Sequence, residues 1–210
     1  STPVVDNFGR ANEGPPMTGW VDVVSGCKVV SNACQGNAAA TDNISRFNTT
    51  YSNTNFEGFL TLTTKAGSAG YTTKIYGLKG SWATLDGYGV VFTENTGAGN
   101  DTVEIARYDA GTATILGPTA TQEFAAGDGL GYSKNGSTHT SWYKSGSAAW
   151  TAVASTVEST YNNATTQIGI DVFGTGEVVD DFGAGVLGAT LNQIERKILR
   201  GVLRGVGRGR

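Results

Sequence analysis

Short runs of alternating or β-branched residues recur through the first 185 residues, and each run ends in a cluster of Gly, Asn, Asp or Ser. Side chains on a strand alternate between two faces, so such runs predict β-strands. The chain has 31 Gly and only 16% charged residues, a composition poor in the Glu, Lys and Arg that favour helices. We therefore expect an all-β domain with strands at 19–24, 27–32, 43–50, 55–64, 71–76, 88–94, 101–108, 112–116, 138–144, 149–153, 166–172 and 176–183.

About a dozen short strands without helices between them predict two stacked sheets, because each sheet has to cover one apolar face. Hydrophobic residues make up 39% of the chain, which is enough for a core. The Asn135-Gly136 pair tolerates the positive φ angles of a type I′ turn and predicts a hairpin. No fixed-period repeat is present, which argues against a propeller or a solenoid.

The charge divides the chain into two parts. Residues 1–185 contain 9 Lys or Arg and 17 Asp or Glu, whereas residues 186–210 contain six basic residues and only Glu195. We interpret 1–185 as the sandwich domain and 186–210 as a tail, either a short amphipathic basic helix or an extended arm. Apolar residues of the tail recur at three- and four-residue spacing, as on one face of a helix. The residues of the tail that we predict to bind a partner are six apolar and six basic ones: Leu191, Ile194, Ile198, Leu199, Val202, Leu203, Arg196, Lys197, Arg200, Arg204, Arg208 and Arg210.

The segment 5–12, followed by Gly19-Trp20, resembles the start of concanavalin A-like (laminin-G-like) jelly-roll domains, which are frequent in bacteriophage virion proteins. The segment 178–182 is similar to the closing strand of these domains, and 87–92 and 103–108 are similar to consecutive central strands. The resemblance covers 4–183. It implies a two-sheet jelly roll and a structural role in a virion.

Three carboxylates are expected near the paired first and last strands, in which Phe8 and Phe182 can anchor the core. They are Asp6, Asp180 and Asp181. Gathered at one rim they would hold Ca²⁺, which takes six to eight oxygen ligands and which many relatives of this fold bind. The alternative is a set of solvent-facing carboxylates that prevent aggregation through sheet edges. Apart from this calcium, no cofactor is expected.

The sequence predicts no catalysis. The glycoside hydrolases that share this fold carry closely spaced carboxylates, Glu-x-Asp-x-(x)-Glu, on one strand, and no such segment is present. Glu177 and Asp181 share a predicted strand face, but a third carboxylate falls on the other side. His139 is the only histidine and is expected at the surface.

The two cysteines, Cys27 and Cys34, flank a short run that reads as a hairpin or as a strand and its turn. They would either form a short-loop disulfide or stay as two buried thiols. The N-terminal residues show no signal-peptide pattern, so either the protein is used without secretion or a leader was removed before residue 1. We expect the first, a protein that is made in a host cytoplasm and acts in the virion.

Sugar binding by jelly rolls uses aromatic rings that stack on a glycan, together with polar groups that bind its hydroxyls. The candidate residues are Trp82 with Tyr76 and Tyr88 nearby, and a second group around Trp142, with its neighbours Tyr143 and Trp150. The alternative is that these rings fill the core. Since Trp142 and Tyr143 are adjacent in a predicted strand, they should face opposite ways.

The first hypothesis is a non-enzymatic virion protein, such as a capsid decoration or head-fibre subunit, that is anchored by its tail. Its partners would be other virion proteins and a cell-surface glycan, in an oligomer or multi-copy assembly. Nucleic acid and membranes rank below protein docking as partners of the tail. The alternatives are a stand-alone carbohydrate-binding module and, third, a divergent glycoside hydrolase.

Overall fold

The computed structural model describes residues 2–51, 55–79, 82–97, 99–161 and 166–187, which form strands and no helix. In chain order the strands are β1 (Val4–Asp6), β2 (Trp20–Val24), β3 (Cys27–Val30), β4 (Ala33–Gly36), β5 (Ile44–Tyr51), β6 (Phe56–Thr64), β7 (Thr72–Lys79), β8 (Gly87–Thr93), β9 (Thr102–Asp109), β10 (Thr112–Ile115), β11 (Ala120–Thr121), β12 (Asp128–Asn135), β13 (Thr138–Lys144), β14 (Thr151–Val157), β15 (Thr166–Val172) and β16 (Val178–Val186).

The strands form two antiparallel sheets of eight. The first sheet has the order β14-β13-β12-β6-β16-β4-β3, and β1 pairs with β16. The second has the order β10-β9-β8-β7-β15-β5-β2, and β11 pairs with β9. Non-consecutive neighbours, such as β6 beside both β12 and β16, show that the connections cross between the sheets. This is the expected jelly-roll sandwich, with the first and last strands side by side.

The core lies between the sheets and follows the alternation of the strands. On β6, Phe56, Leu60 and Leu62 are buried, while the residues between them point outward. Phe8 and Phe182 are both fully buried, as expected, and the Trp20 ring lies 5.9 Å from Phe8 and 4.9 Å from Phe182 between ring centroids. The aromatic residues of the opening and closing segments therefore hold the two ends of the domain together.

The structure differs from the sequence prediction at several strands. The predicted strand 27–32 ends at Val30 as β3, because Ser31 and Asn32 take positive φ at a hairpin turn, and its partner β4 lies beyond the predicted run. The strands β1, β11 and β12 were not among the predicted runs, although Asn135-Gly136 does join β12 to β13 as a hairpin. Cys27 and Cys34 are both buried, free thiols. Among the described residues, no helix is long and apolar enough to cross a membrane.

Candidate functional site

A cleft of about 540 Å³ lies on the outer face of the first sheet, away from the core. It runs over β13, β12, β6 and the bulge of β16 at Asp181, and the loop that leads into β14 forms one wall. The side chains that line it come from alternate positions of these strands, since the other positions point into the sandwich. They are Glu57, Phe59, Thr61, Trp142, Lys144, Trp150 and Asp181, with Thr2 at one end.

The floor of the cleft is a row in which aromatic residues and glycines alternate across four strands. Trp142 of β13 is paired with Gly131 of β12. Gly131 is paired on its other side with Phe59 of β6, and Phe59 is paired with Gly183 of β16. A Cβ atom on Gly183 would lie 2.1 Å from the Phe59 ring, so only glycine lets that ring lie across the neighbouring strand. Phe59 therefore lies against the sheet and does not project from it.

The Trp150 ring lies over the glycines of β12. A Cβ atom on Gly129 would lie 2.8 Å from the ring, and the ring is 39% exposed. The Trp150 and Phe59 ring centroids are 5.9 Å apart, and the ammonium of Lys144 lies 5.9 Å from the Trp150 centroid. The cleft thus offers two neighbouring aromatic rings to solvent, with a cation beside one of them.

Buried hydrogen bonds hold the walls of the cleft. Asp128 is buried and accepts hydrogen bonds from the amides of Gly146 (3.0 Å) and Ala125 (2.8 Å) and from the hydroxyl of Tyr143 (2.8 Å). This carboxylate fixes the β13–β14 loop, next to Trp150. The Trp142 ring is held by a hydrogen bond of 2.8 Å from its Nε1 to Ser133 Oγ. The aromatic surface is therefore ordered before any ligand binds.

Carboxyl groups dominate the charge of the cleft. Glu57 and Asp181 line it together with one cation, Lys144. Burial raises the pKa of Glu57. Asp181 is exposed and adopts a positive φ of 50° in the bulge of β16.

Only one of the four predicted glycan-binding residues, Trp142, lines the cleft. The prediction is wrong for Trp82, Tyr76 and Tyr88, which are 6%, 1% and 1% exposed. Trp82 and Tyr76 belong to a small apolar cluster on the other face of the second sheet, and Tyr88 lies in the main core between the sheets. Buried rings have no free face for a sugar. Tyr143 points away from Trp142 and packs against the core, as expected.

The predicted grouping of Asp6, Asp180 and Asp181 is also wrong. Among the described residues, no three His, Cys, Asp or Glu side chains come close enough together to hold a metal ion. Asp6 is instead an internal anchor: it pairs with Arg10 (2.6 Å) and accepts a hydrogen bond of 2.7 Å from Trp20 Nε1. The bulge of β16 directs Asp180 and Asp181 into different clefts.

His139 is fully buried, which contradicts the predicted surface position. Its Nδ1 lies 2.7 Å from the hydroxyl of Tyr132, its Nε2 lies 3.1 Å from the carbonyl of Glu158, and its ring centroid is 4.2 Å from that of Tyr88. Burial lowers the pKa of His139 to about 4. This histidine is a neutral, packed part of the core.

Glu177 does not face Asp181 either. It is 1% exposed and lies beside Glu94, which is equally buried. Burial, together with the charge of Glu94, raises the pKa of Glu177 to about 9. The prediction that Glu177 and Asp181 share a strand face is therefore wrong, since Glu177 precedes β16 and is buried, whereas Asp181 is exposed.

Residues that complete the cleft were missed by the sequence analysis. These are Phe59, Lys144, Glu57 and the glycines beneath the rings. The signal available was the pair Trp142 and Trp150, which flank one turn. The predicted tail residues Leu191–Arg210 lie outside the described residues, so their role stays a prediction.

No protein-family model matches the sequence, and no curated protein matches it. Solved structures do match. The carbohydrate binding module CBM66 from Bacillus subtilis aligns with a TM-score of 0.61 and 17% identity, over 80% of this chain and 96% of that one. The exoplasmic/lumenal domain of VIP36, in a Ca²⁺/Man-bound form, aligns with a TM-score of 0.63 and 10% identity, over 81% of this chain and 84% of that one.

The GH43 protein BlXynB from Bacillus licheniformis aligns with a TM-score of 0.56 and 14% identity, over 86% of this chain but only 39% of that one. At such identities the likeness concerns the fold alone. The chain therefore has the two-sheet jelly-roll fold found in lectins and carbohydrate-binding modules.

Proposed function

We propose that this protein is a non-catalytic carbohydrate-binding module whose cleft on the first sheet binds a glycan. The observation that supports this most is the half-exposed Trp150 ring beside Phe59, in a cleft with Glu57, Asp181 and Lys144 around it. Aromatic faces bind the C–H surface of a sugar ring, and the charged groups and backbone bind its hydroxyls.

The names of the structural neighbours agree with this proposal. One is a carbohydrate binding module, and another was solved with Ca²⁺ and mannose bound. The position of Trp150 supports the proposal independently, because its ring lines a cleft on the outer face of the sheet, where a ligand can reach it.

A glycan array followed by calorimetry with the best ligand tests the proposal. We expect Trp150→Ala to weaken binding at least tenfold, roughly 1.4 kcal/mol, because it removes the main stacking surface. Trp150→Phe should retain part of the affinity, since it keeps an aromatic face.

Ile115→Ala is the matched control, because Ile115 is a similarly exposed apolar residue (42%) on the edge strand β10 of the other sheet. It should bind like the wild type. Wild-type protein that binds no glycan on the array would rule the proposal out. Release of reducing sugar from a bound glycan, abolished by Glu57→Gln, would show that the cleft is catalytic instead.

We further propose that the module works in a virion, as a capsid decoration or head-fibre subunit that the basic tail attaches to other virion proteins. The support is the resemblance of 4–183 to domains of phage particles and the six basic residues of 186–210. Copurification of the native protein with a particle, in a fixed number of copies, tests this role. A protein found only free of particles would contradict it.

A further inference from the structure

A second cleft, of about 520 Å³, lies on the same outer face of the first sheet. It is formed by β6, by the start of β16 and by the β3–β4 hairpin. None of the described residues that line it is aromatic, and its polar residues are Ser31, Asn32, Gln35, Thr63, Thr64 and Asp180. Two clefts of different chemistry therefore share one face of the sheet.

The two clefts adjoin at one cross-strand pair. Thr61 of β6 lines the first cleft, and its partner on β16, Asp180, lines the second. The same row continues through Gly129 of β12 to Lys144 of β13 on the other side. From β13 to β4 there are four inter-strand steps, or roughly 19 Å at about 4.8 Å a step. That length exceeds what a single sugar ring would occupy.

The polar groups of the second cleft are held in place. Gln35 Nε2 donates a hydrogen bond of 2.6 Å to the carbonyl of Thr175, and Thr63 Oγ1 donates one of 2.8 Å to that of Val178. Asp180 Oδ1 accepts a hydrogen bond of 2.8 Å from the amide of Asp181. Fixed acceptors of this kind bind sugar hydroxyls with little loss of side-chain freedom.

The charge of the combined face limits the ligand. The described side chains that line the two clefts include three carboxyl groups, Glu57, Asp180 and Asp181, and one cation, Lys144. A polyanion such as a uronic acid polymer or a sulfated glycan would be repelled by this surface. A neutral oligosaccharide would not be repelled by it.

We propose that the two clefts are one groove, which binds a neutral oligosaccharide chain lying across the strands. One part of the chain stacks on Trp150 and Phe59, and the next part binds through its hydroxyls to Asp180 and Gln35. This inference rests on the proposed glycan-binding function and adds to it the class of ligand and a second subsite.

Calorimetry with neutral gluco-, manno-, xylo- and fructo-oligosaccharides, from the monosaccharide to the hexasaccharide, tests the groove. Affinity should rise with chain length beyond the disaccharide. Asp180→Ala and Gln35→Ala should each weaken binding of the hexasaccharide about five- to tenfold and leave binding of the disaccharide unchanged. Trp150→Ala should weaken binding at every length.

Asp180→Asn keeps an oxygen that accepts the hydrogen bond from the Asp181 amide. It therefore separates a loss of affinity caused by a changed bulge in β16 from one caused by a lost contact with the ligand. It should retain more affinity than Asp180→Ala, and Ile115→Ala should change nothing. Equal affinity for the disaccharide and the hexasaccharide, or tighter binding of polygalacturonate than of any neutral chain, would overturn the groove and leave glycan binding itself intact. Wild-type protein that binds none of these sugars would overturn both.

Discussion

The buried pair of Glu94 and Glu177 shows how single residues set the stability of the sandwich. Both are 1% exposed. The two carboxyl oxygens of Glu94 accept hydrogen bonds from the amides of Ala66 (3.2 Å) and Gly67 (3.1 Å), which favours the ionised form. Burial and the charge of Glu94 raise the pKa of Glu177 to about 9, so Glu177 holds a proton at neutral pH.

We predict that Glu177→Gln makes the protein less sensitive to alkaline pH. The pKa of Glu177 is about 9 in the folded protein and about 4.5 when unfolded, so the folded state holds the extra proton between these values. The free energy of unfolding therefore falls as pH rises through this range, by up to about 1.4 kcal/mol per pH unit. Glutamine imitates the protonated acid and removes this fall. Urea unfolding of both proteins at pH 5.5 and 8.5 measures the difference, which we expect to be at least about 1 kcal/mol.

Glu94→Gln is the matched control, since it changes the same pair by the same chemistry. Its amide group would face the backbone N–H of Ala66 or Gly67, so this variant should be less stable than the wild type at both pH values. If the two variants had the same effect, the proton would not be located on Glu177.

Trp82 and Trp150 show that the exposure of a side chain cannot be predicted from the residues next to it in the sequence. Trp82 and Trp150 both follow small residues, and both rings lie against a glycine of another strand, Gly169 and Gly129 respectively. Trp82 is buried in a cluster that includes Ile44 and Tyr108 of other strands, whereas Trp150 stays partly open. Nothing local in the sequence separates the two cases, because the covering residues are distant in the chain.

At the level of strands, β12 is one of the strands missing from the sequence prediction, and it is the one that matters most for the cleft. Its Gly129 and Gly131 interrupt the alternation that predicts strands, so the segment reads as a turn region. These glycines leave room for the aromatic rings above them. By contrast, β13 and β15 were predicted with their observed bounds.

We predict that Gly129→Ala lowers glycan affinity without much loss of stability. The new methyl group would lie 2.8 Å from the Trp150 ring and push it outward, which spoils the stacking surface. Trp150 is at the surface and can move, so the free energy of unfolding should change by less than about 1 kcal/mol. Calorimetry with the best glycan and urea unfolding measure the two effects.

A double-mutant cycle provides the control for this prediction. If Gly129→Ala acts through the ring, it should have no further effect on affinity in a Trp150→Ala background. An equal loss in both backgrounds would mean that the glycine itself contacts the ligand or shapes the strand.

For the whole molecule, the pattern of runs and turns was sufficient to predict an all-β sandwich, but not the composition of its clefts. The row through Trp142, Gly131, Phe59 and Gly183 joins the β12–β13 hairpin to β6 and β16, which are far from it and from each other in the chain. Its members come together only through the order of the strands in the sheet. That order follows from the crossover connections between the sheets, which cannot be predicted from a local sequence pattern.

The distribution of charge along the chain distinguishes the domain that we propose binds a glycan from the tail that we propose attaches it to a particle. The domain has an excess of acidic residues and its cleft face is acidic, whereas 186–210 has an excess of basic ones. A basic tail would therefore be poorly suited to the same ligand as the cleft. The two parts are better suited to different partners, a neutral glycan and an acidic protein surface.

We predict that reversing charge in the tail abolishes particle association and leaves glycan binding unchanged. In the full chain, Arg196, Lys197 and Arg200 would all be replaced by Glu, which turns attraction to an acidic surface into repulsion. Cosedimentation with particles should fall at least tenfold, and the wild-type association should weaken with added salt because exposed charges are screened. The control replaces Arg196 and Arg200 with Lys, which keeps the charge and should keep association. A charge-reversed protein that still cosediments would show that the tail is not the anchor, whatever the cleft binds.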